Sequence, residues 1–202
     1  MIKAITFDLD GVYFINGKSN FIAALEKRGV SRVEAERVFL KSDEMNKQYK
    51  EGKMSDEQFW TWALGEWKLE MTVPEVIQLL IDGYEVNEAV VATVKKTRAK
   101  GYKTLICTNN FPARINGLHK RFNFLDNFDA TALSYEAGAS KPSQKIFQEL
   151  VNRSGVKPGE IVFADDNLEN LAGAREIGIK TFVYKDFPQF IADLSEEGVS
   201  LE

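Results

Sequence analysis

With 202 residues, 44% of them hydrophobic and 11% aromatic, the chain is long enough to bury one core domain plus an insertion and too apolar to be disordered. A formal net charge of -4 gives no global attraction to nucleic acid or to an anionic membrane, so any anionic ligand must be held locally. One cysteine, Cys107, and one histidine, His119, exclude an intrachain disulfide framework and a multi-histidine metal site, and the lone cysteine fits a reducing compartment.

The chain begins with Ile2 to Phe7, a β-branched and aromatic run that reads as a buried strand rather than a leader segment. No apolar run nears the roughly 20 residues of a membrane helix, so a soluble, cytoplasmic protein is expected. The first strand ends in two acids, Asp8 and Asp10, followed by Gly11. Carboxylates are costly to bury unless a metal, hydrogen bonds or protonation compensates them, and open α/β sheets bind ligands at this strand end. A Mg²⁺-dependent catalytic site is the leading explanation; a loop cap or turn is the structural alternative for the pair alone. Next comes Tyr13-Phe14-Ile15-Asn16-Gly17-Lys18, in which Asn-Gly after an apolar stretch signals a type I′ hairpin and hence a small β-flap beside the acids. Residues from about 19 to 83 read only as helices. Ser31-x-x-Glu34, Ser55-x-x-Gln58 and Thr72-x-x-Glu75 fit the capping-box pattern, so the segment is expected to be a helical insertion. Trp60, Trp62 and Trp67 lie in it at helical spacing, which favours core packing over the lining of a pocket.

An α/β pattern resumes with a helix from Asn87 to Lys100 and a strand from Thr104 to Thr108 that contains Cys107, where a buried thiol is a better reading than a nucleophile. Helices near 112–122, 143–152 and 168–176 alternate with strands near 130–134, Ile161 to Ala164 and Lys180 to Tyr184, before a short terminal helix. His119 falls in the first of these helices and reads as an ordinary helix residue. Strands alternating with helices predict an α/β fold, a Rossmann-like doubly wound parallel sheet covered on both faces.

Each predicted core strand carries polar residues at its C-terminal end: Asp8 and Asp10, Thr108 and Asn109, Asp165 and Asp166. Parallel strands bring those ends to one edge, where groups far apart in sequence share a crevice. Paired acids allow one to act ionised, as nucleophile or metal ligand, while the other cycles a proton. Thr108-Asn109-Asn110 sits between strand and helix, where a hydroxyl and free N–H groups suit phosphate oxygens, although such residues are also ordinary caps. In Lys141-Pro142, the proline fits the first turn of the next helix and sets the lysine beside that helix's positive end. A nearby anion would resolve the conflict; a solvated lysine is the alternative.

These four elements, in this order, resemble the haloacid dehalogenase superfamily of phosphohydrolases over essentially the whole chain. Asp8-Leu9-Asp10-Gly11-Val12 resembles its first motif, Thr108-Asn109 its second, Lys141-Pro142 its third, and Asp165-Asp166-Asn167-Leu168-Glu169-Asn170 its fourth. The resemblance implies a core of residues 1–15 and 84–202 and a small α-helical cap of residues 16–83 that begins with the β-flap. It implies Asp8 as nucleophile and Mg²⁺ ligand, and Asp10 as acid/base whose backbone carbonyl also reaches the metal. Thr108, the Asn109 backbone and Lys141 would hold the phosphoryl group. Asp166 would ligate the metal directly, with Asp165 adjacent or acting through water. Val12 stands where many members carry threonine. The dehalogenases of the superfamily lack the second acid and use no metal, so Asp10 favours phosphate chemistry. The segments Gly52 to Trp60 and Ala137 to Pro142 resemble sugar-phosphate phosphatases of the glucose-1-phosphatase type and the phosphatase domain of soluble epoxide hydrolases. The expected activity is Mg²⁺-dependent hydrolysis of a small phosphorylated metabolite through an aspartyl-phosphate on Asp8. A phosphomutase, a metal-independent dehalogenase and a non-catalytic phosphate-ligand protein are the alternatives, and a monomer and a homodimer are both compatible.

Overall fold

A computed structural model describes residues 1–201. Strand β1 (Ala4–Phe7) lies at the centre of a parallel sheet, between β4 (Lys103–Thr108) and β6 (Ile161–Asp165), with β5 (Ala130–Leu133) and β7 (Lys180–Val183) outside them. Every residue of β1 and β6 is buried. That is the signature of a parallel sheet covered on both faces, as expected from the alternating strands and helices. The pleat divides these residues between two apolar cores. Ile5, Phe7, Ile106, Val162 and Ala164 point to one face, with Val90 and Val94 of α5 (Glu88–Ala99) and with Phe190 and Leu194 of α10 (Phe187–Glu196). Leu105, Cys107, Ile161 and Phe163 point to the other, under α8 (Gln144–Ser154) and α9 (Ala172–Glu176). Phe7 pairs in register with both Ile106 and Ala164, so the three central strands end at one level.

Between β2 (Phe14–Ile15) and β3 (Glu85–Val86) the chain is helical, with α1 (Gly17–Glu26), α2 (Arg32–Glu36), α3 (Asp56–Trp67) and α4 (Val73–Asp82). Both bonds of the capping box are present at Ser55 with Gln58 and at Thr72 with Glu75, whereas at Ser31 only the Glu34 N–H bond to Ser31 Oγ forms. The stretch between α2 and α3 holds two π-helical segments, Arg37–Lys41 and Glu44–Tyr49, which no periodicity in the sequence announces. Trp60 and Trp67 are buried with Phe21, while Trp62 is half-buried, so the tryptophans mainly pack the insertion. Tyr49 is stacked between Phe59, at 4.5 Å, and Phe111 of the core, at 4.6 Å. Its hydroxyl donates to Asp56 Oδ1 at 2.5 Å, and the same oxygen accepts from the Ala113 N–H in the first turn of α6 (Pro112–Phe122). The insertion thereby satisfies an N–H that the helix itself leaves unpaired.

Asn16-Gly17 does not turn a hairpin. Strand β2 pairs antiparallel with β3, the strand that returns from the insertion, and Gly17 opens α1. Asn16 takes a left-handed φ of 63° at the helix start, and its amide donates to Glu85. The glycine answers a close approach: a Cβ there would lie 2.2 Å from the Tyr84 ring. The two segments that connect core and insertion therefore cross in direct contact. A tight loop beside the acids does form, one step earlier, closed by Phe14 N–H to Leu9 O at 2.7 Å and Gly11 N–H to Phe14 O at 2.9 Å. The remaining short helix, α7 (Ser134–Ala137), follows β5 directly. The expected helix at 168–176 is a 3₁₀ turn, Leu168–Leu171, running into α9.

Candidate active site

Because β1, β4 and β6 end together, Asp8, Asp10, Thr108, Asn109, Lys141 and Asp166 come to line one cavity of about 690 Å³, with Asn167 and Asn170. Asp165 lies just behind its wall, fully buried. Gly11 borders the cavity because no side chain fits: its φ is +77° and a Cβ would stand 2.6 Å from Asp166 Oδ2.

Lys141 is the hub of one side. Its buried Nζ lies 3.0 Å from Asp8 Oδ1 and 2.5 Å from Asp165 Oδ2, and donates to the Cys107 carbonyl at 3.0 Å. These are the anions that the cation beside a helix start calls for. The helix itself begins later than expected, at Gln144 with Ser143 as N-cap, so Pro142 precedes it instead of occupying its first turn. The Asn109 side chain fixes the lysine's backbone at both ends, accepting from Lys141 N–H at 2.6 Å and donating to Lys141 O at 3.1 Å. This positioning role of the Asn109 amide was not visible in the sequence.

Asp165 is fully engaged: Oδ1 accepts from the Asn167 N–H and the Asn170 amide, each at 2.9 Å, while Lys141 occupies Oδ2. Asp166 is exposed and makes no hydrogen bond or ion pair among the described residues. Asp8, Asp165 and Asp166 each offer a carboxylate oxygen, all within 4.8 Å of one another. Burial lifts the Asp8 carboxyl to about 6, with Lys141 opposing and Asp165 and Asp10 adding to the rise. Burial and Asp165 raise the Asp166 carboxyl as well. Asp8 Oδ1 faces Lys141 outside hydrogen-bonding geometry and has no hydrogen-bond donor among the described residues. A set of oxygen donors, under-neutralised and with one buried oxygen lacking a donor, fits a hard divalent cation such as Mg²⁺.

The other side is organised around Asp10. Its Oδ2 lies 2.8 Å from Arg114 Nη2 and 3.1 Å from Lys18 Nζ. Burial alone would raise this carboxyl, but the two cations outweigh it and hold Asp10 well below the usual carboxylate range. Lys50, from the turn after the second π-helical segment, also lines the cavity, and its Nζ donates to Asn46 Oδ1 at 2.9 Å. Burial, with Arg114 and Lys18 adding, pulls its ammonium down to about 7. No local pattern marks Lys18, Lys50 and Arg114: Lys18 follows the Asn-Gly pair, Lys50 lies in the turn after Tyr49, and Arg114 sits on a helix with other basic residues. Thr108 is buried at the cavity wall, and its Oγ1 accepts from the Asn110 amide at 3.4 Å. Cys107 is buried and its thiol is pushed up to about 12 by burial, while His119 is half-buried in α6 beside Phe124. Neither reaches the cavity. No helix among the described residues is long and apolar enough to cross a membrane.

Residues 2–178 match the family of haloacid dehalogenase-like hydrolases. Among curated proteins, the chain is 27% identical over 191 residues to a D-ribitol-5-phosphate phosphatase of Bacteroides thetaiotaomicron, covering 90% of this chain and 91% of that protein. It is 25% identical over 197 residues to a glyceraldehyde 3-phosphate phosphatase of Methanopyrus kandleri, covering 90% and 83%. Among solved structures, a HAD family enzyme of Bacteroides thetaiotaomicron in complex with magnesium and inorganic phosphate superposes with a TM-score of 0.79 at 22% identity, over 94% of this chain and 99% of that one. With the family match spanning most of its length, the chain belongs to the haloacid dehalogenase-like hydrolases.

Proposed function

We propose that this protein is a Mg²⁺-dependent phosphatase of small, hydroxylated phosphate monoesters, acting through an aspartyl-phosphate on Asp8. The observation that carries the reading is the convergence of Asp8, Asp165 and Asp166 within 4.8 Å around a lysine buried between two of them. Asp8, Asp166 and the Asp10 backbone carbonyl would hold the metal, with Asp165 orienting Lys141. Bound there, Mg²⁺ supplies charge neutralisation between the carboxylates and the incoming phosphate. The Asp8 carboxylate attacks phosphorus, and Asp10, ionised beside Arg114 and Lys18, relays the proton of the bound monoester monoanion to the departing oxygen. Asp10 then takes a proton from the water that hydrolyses the acyl phosphate. Thr108 Oγ1, the Asn109 backbone and Lys141 Nζ bind the transferring group, the electrostatic contribution that dominates phosphoryl transfer.

The cavity wall beyond the acids suits a polyol or sugar leaving group better than a nucleobase, being lined by Asn16, Lys18, Ser19 and Lys50 with only Phe14 and Ile15 as large apolar residues. The named substrates of the ribitol-phosphate and glyceraldehyde-phosphate phosphatases are of this class. The residues 16–83 then serve as the cap that selects the leaving group. The test is a panel of sugar, polyol and triose phosphates, nucleotides and phosphoglycolate, assayed with Mg²⁺ and with chelator. Inorganic phosphate released from polyol or sugar phosphates only with Mg²⁺ is expected; an isomeric phosphate in place of inorganic phosphate, or no turnover on any ester, would overturn the reading.

A further inference from the structure

Arg114 is among the largest fully buried side chains of the protein, 1% exposed, and its guanidinium spends itself on the site instead of on the surface. Nη2 meets Asp10 Oδ2 at 2.8 Å and the Asn109 carbonyl at 3.4 Å. Nε donates to Asn110 Oδ1 at 2.6 Å and Nη1 to the Tyr84 hydroxyl at 2.8 Å. The guanidinium carbon lies over the Phe111 ring, 4.8 Å from its centroid. Burying an arginine is costly unless its donors are all engaged, and here the planar fork is engaged on three separate chain segments. Those segments are the loop after β1, the loop after β4, and Tyr84, where the chain returns from the insertion and packs on Gly17. Lys18, the second cation near Asp10, meets the same oxygen, Oδ2, at 3.1 Å.

We propose that Arg114 is a positioning residue that anchors Asp10 by Oδ2, so that Oδ1 alone exchanges the proton with the leaving group and with water. The inference rests on the phosphatase reading and adds a residue to it. In the first step, Asp8 O–P bond formation accompanies cleavage of the P–O bond to the leaving group, and Asp10 Oδ1 passes the proton of the bound monoester monoanion to the departing oxygen. In the second, water oxygen bonds to phosphorus, the Asp8 O–P bond breaks, and Asp10 Oδ1 takes a proton from that water and yields it to the departing inorganic phosphate. A carboxylate free to rotate would offer either oxygen at the wrong distance for both transfers. Arg114 holds it through a fork braced by Asn110 and Tyr84.

The experiment compares an alkyl phosphate, glycerol 1-phosphate, with p-nitrophenyl phosphate, whose phenolate leaves without needing a proton, on full-length protein with saturating Mg²⁺. In Arg114→Met, kcat on the alkyl ester is expected to fall by about 10²-fold or more, the usual worth of a positioned general acid. Rapid mixing with p-nitrophenyl phosphate should still give a nitrophenolate burst of one equivalent per site, followed by slow turnover. Arg114→Lys, which keeps a charge but loses the fork, is expected to restore part of the alkyl-ester rate, and Arg114→Met combined with Asp10→Asn to be no slower than Asp10→Asn alone. Equal losses on both substrates with no burst, wild-type rates on the alkyl ester, or additivity in the double variant would overturn the assignment. If Arg114→Met does not fold, Arg114→Lys and Tyr84→Phe decide by the same substrate asymmetry, and its absence in both overturns the proposal. Failure of the phosphatase reading is separate: wild-type protein would then release nothing from either ester.

Discussion

On the Asp8 side of the crevice one ammonium, Lys141 Nζ, serves two buried carboxylates, while on the Asp10 side two cations, Arg114 and Lys18, converge on a single carboxylate oxygen. Lys141 and Arg114 are equally hidden, each side chain 1% exposed, yet the acids beside them move in opposite directions. Burial raises both carboxyls; the ratio of cations to anions decides the outcome. The Asp8 side is left short of positive charge, which is the condition for recruiting a divalent cation, and the Asp10 side is complete without one.

The comparison breaks first at Asp8. Asp8→Asn is expected to lower phosphate release by on the order of 10³-fold or more, as removal of a nucleophile does. It should also stabilise the protein in chelator. A folded carboxyl near 6 lies above its ordinary 3.8, so ionised Asp8 opposes folding above pH 6. The gain should reach about 2–3 kcal/mol there and vanish below the ordinary carboxyl range, where wild type and variant converge. Denaturation midpoints from pH 3 to 8 measure it, and equal stability of the two proteins at pH 8 would contradict the charge shortage. Lys141→Met removes the one cation from two acids and should cost about 3–5 kcal/mol at neutral pH. The loss should shrink on acidification as Asp8 takes up its proton, which urea titrations at pH 5 and 8 read directly. Mg²⁺ must displace the Asp8 proton below about pH 6, so its affinity should fall up to tenfold per pH unit there. Calorimetry in buffers of different ionisation heat detects the proton released. The smallest effect belongs to the better-supplied side: Lys18→Ala, whose side chain is 45% exposed, should cost about 0–1 kcal/mol, because Arg114 remains on Asp10.

The acids were legible because each ends a run of β-branched or aromatic residues, and a carboxylate there has few structural excuses. Asp8, Asp10, Thr108, Asn109, Asp165 and Asp166 all announce themselves in this way, and the resemblance to the family assembles them with Lys141. The cations that set the ionisation of Asp10 were not legible. Arg114 sits on a helix with other basic residues, and only the tertiary fold turns it inward while Arg121 stays near the surface. Asn16-Gly17 misled because a turn signal is local, whereas the glycine here answers the ring of Tyr84, distant in sequence. The π-helical path that delivers Lys50 has a period no pattern search for 3.6 residues detects.

Cys107 turns the central sheet into its own reporter. The chain's single thiol is buried on β4, pushed up to about 12, and shares its residue with the carbonyl that accepts from Lys141. A thiol-specific alkylating reagent should therefore ignore the folded protein and label it only when the strand beneath the crevice opens. The labelling rate becomes a clock on that opening, read at one atom and without any introduced probe. Saturating Mg²⁺ and phosphate should slow it in proportion to the stability that they add.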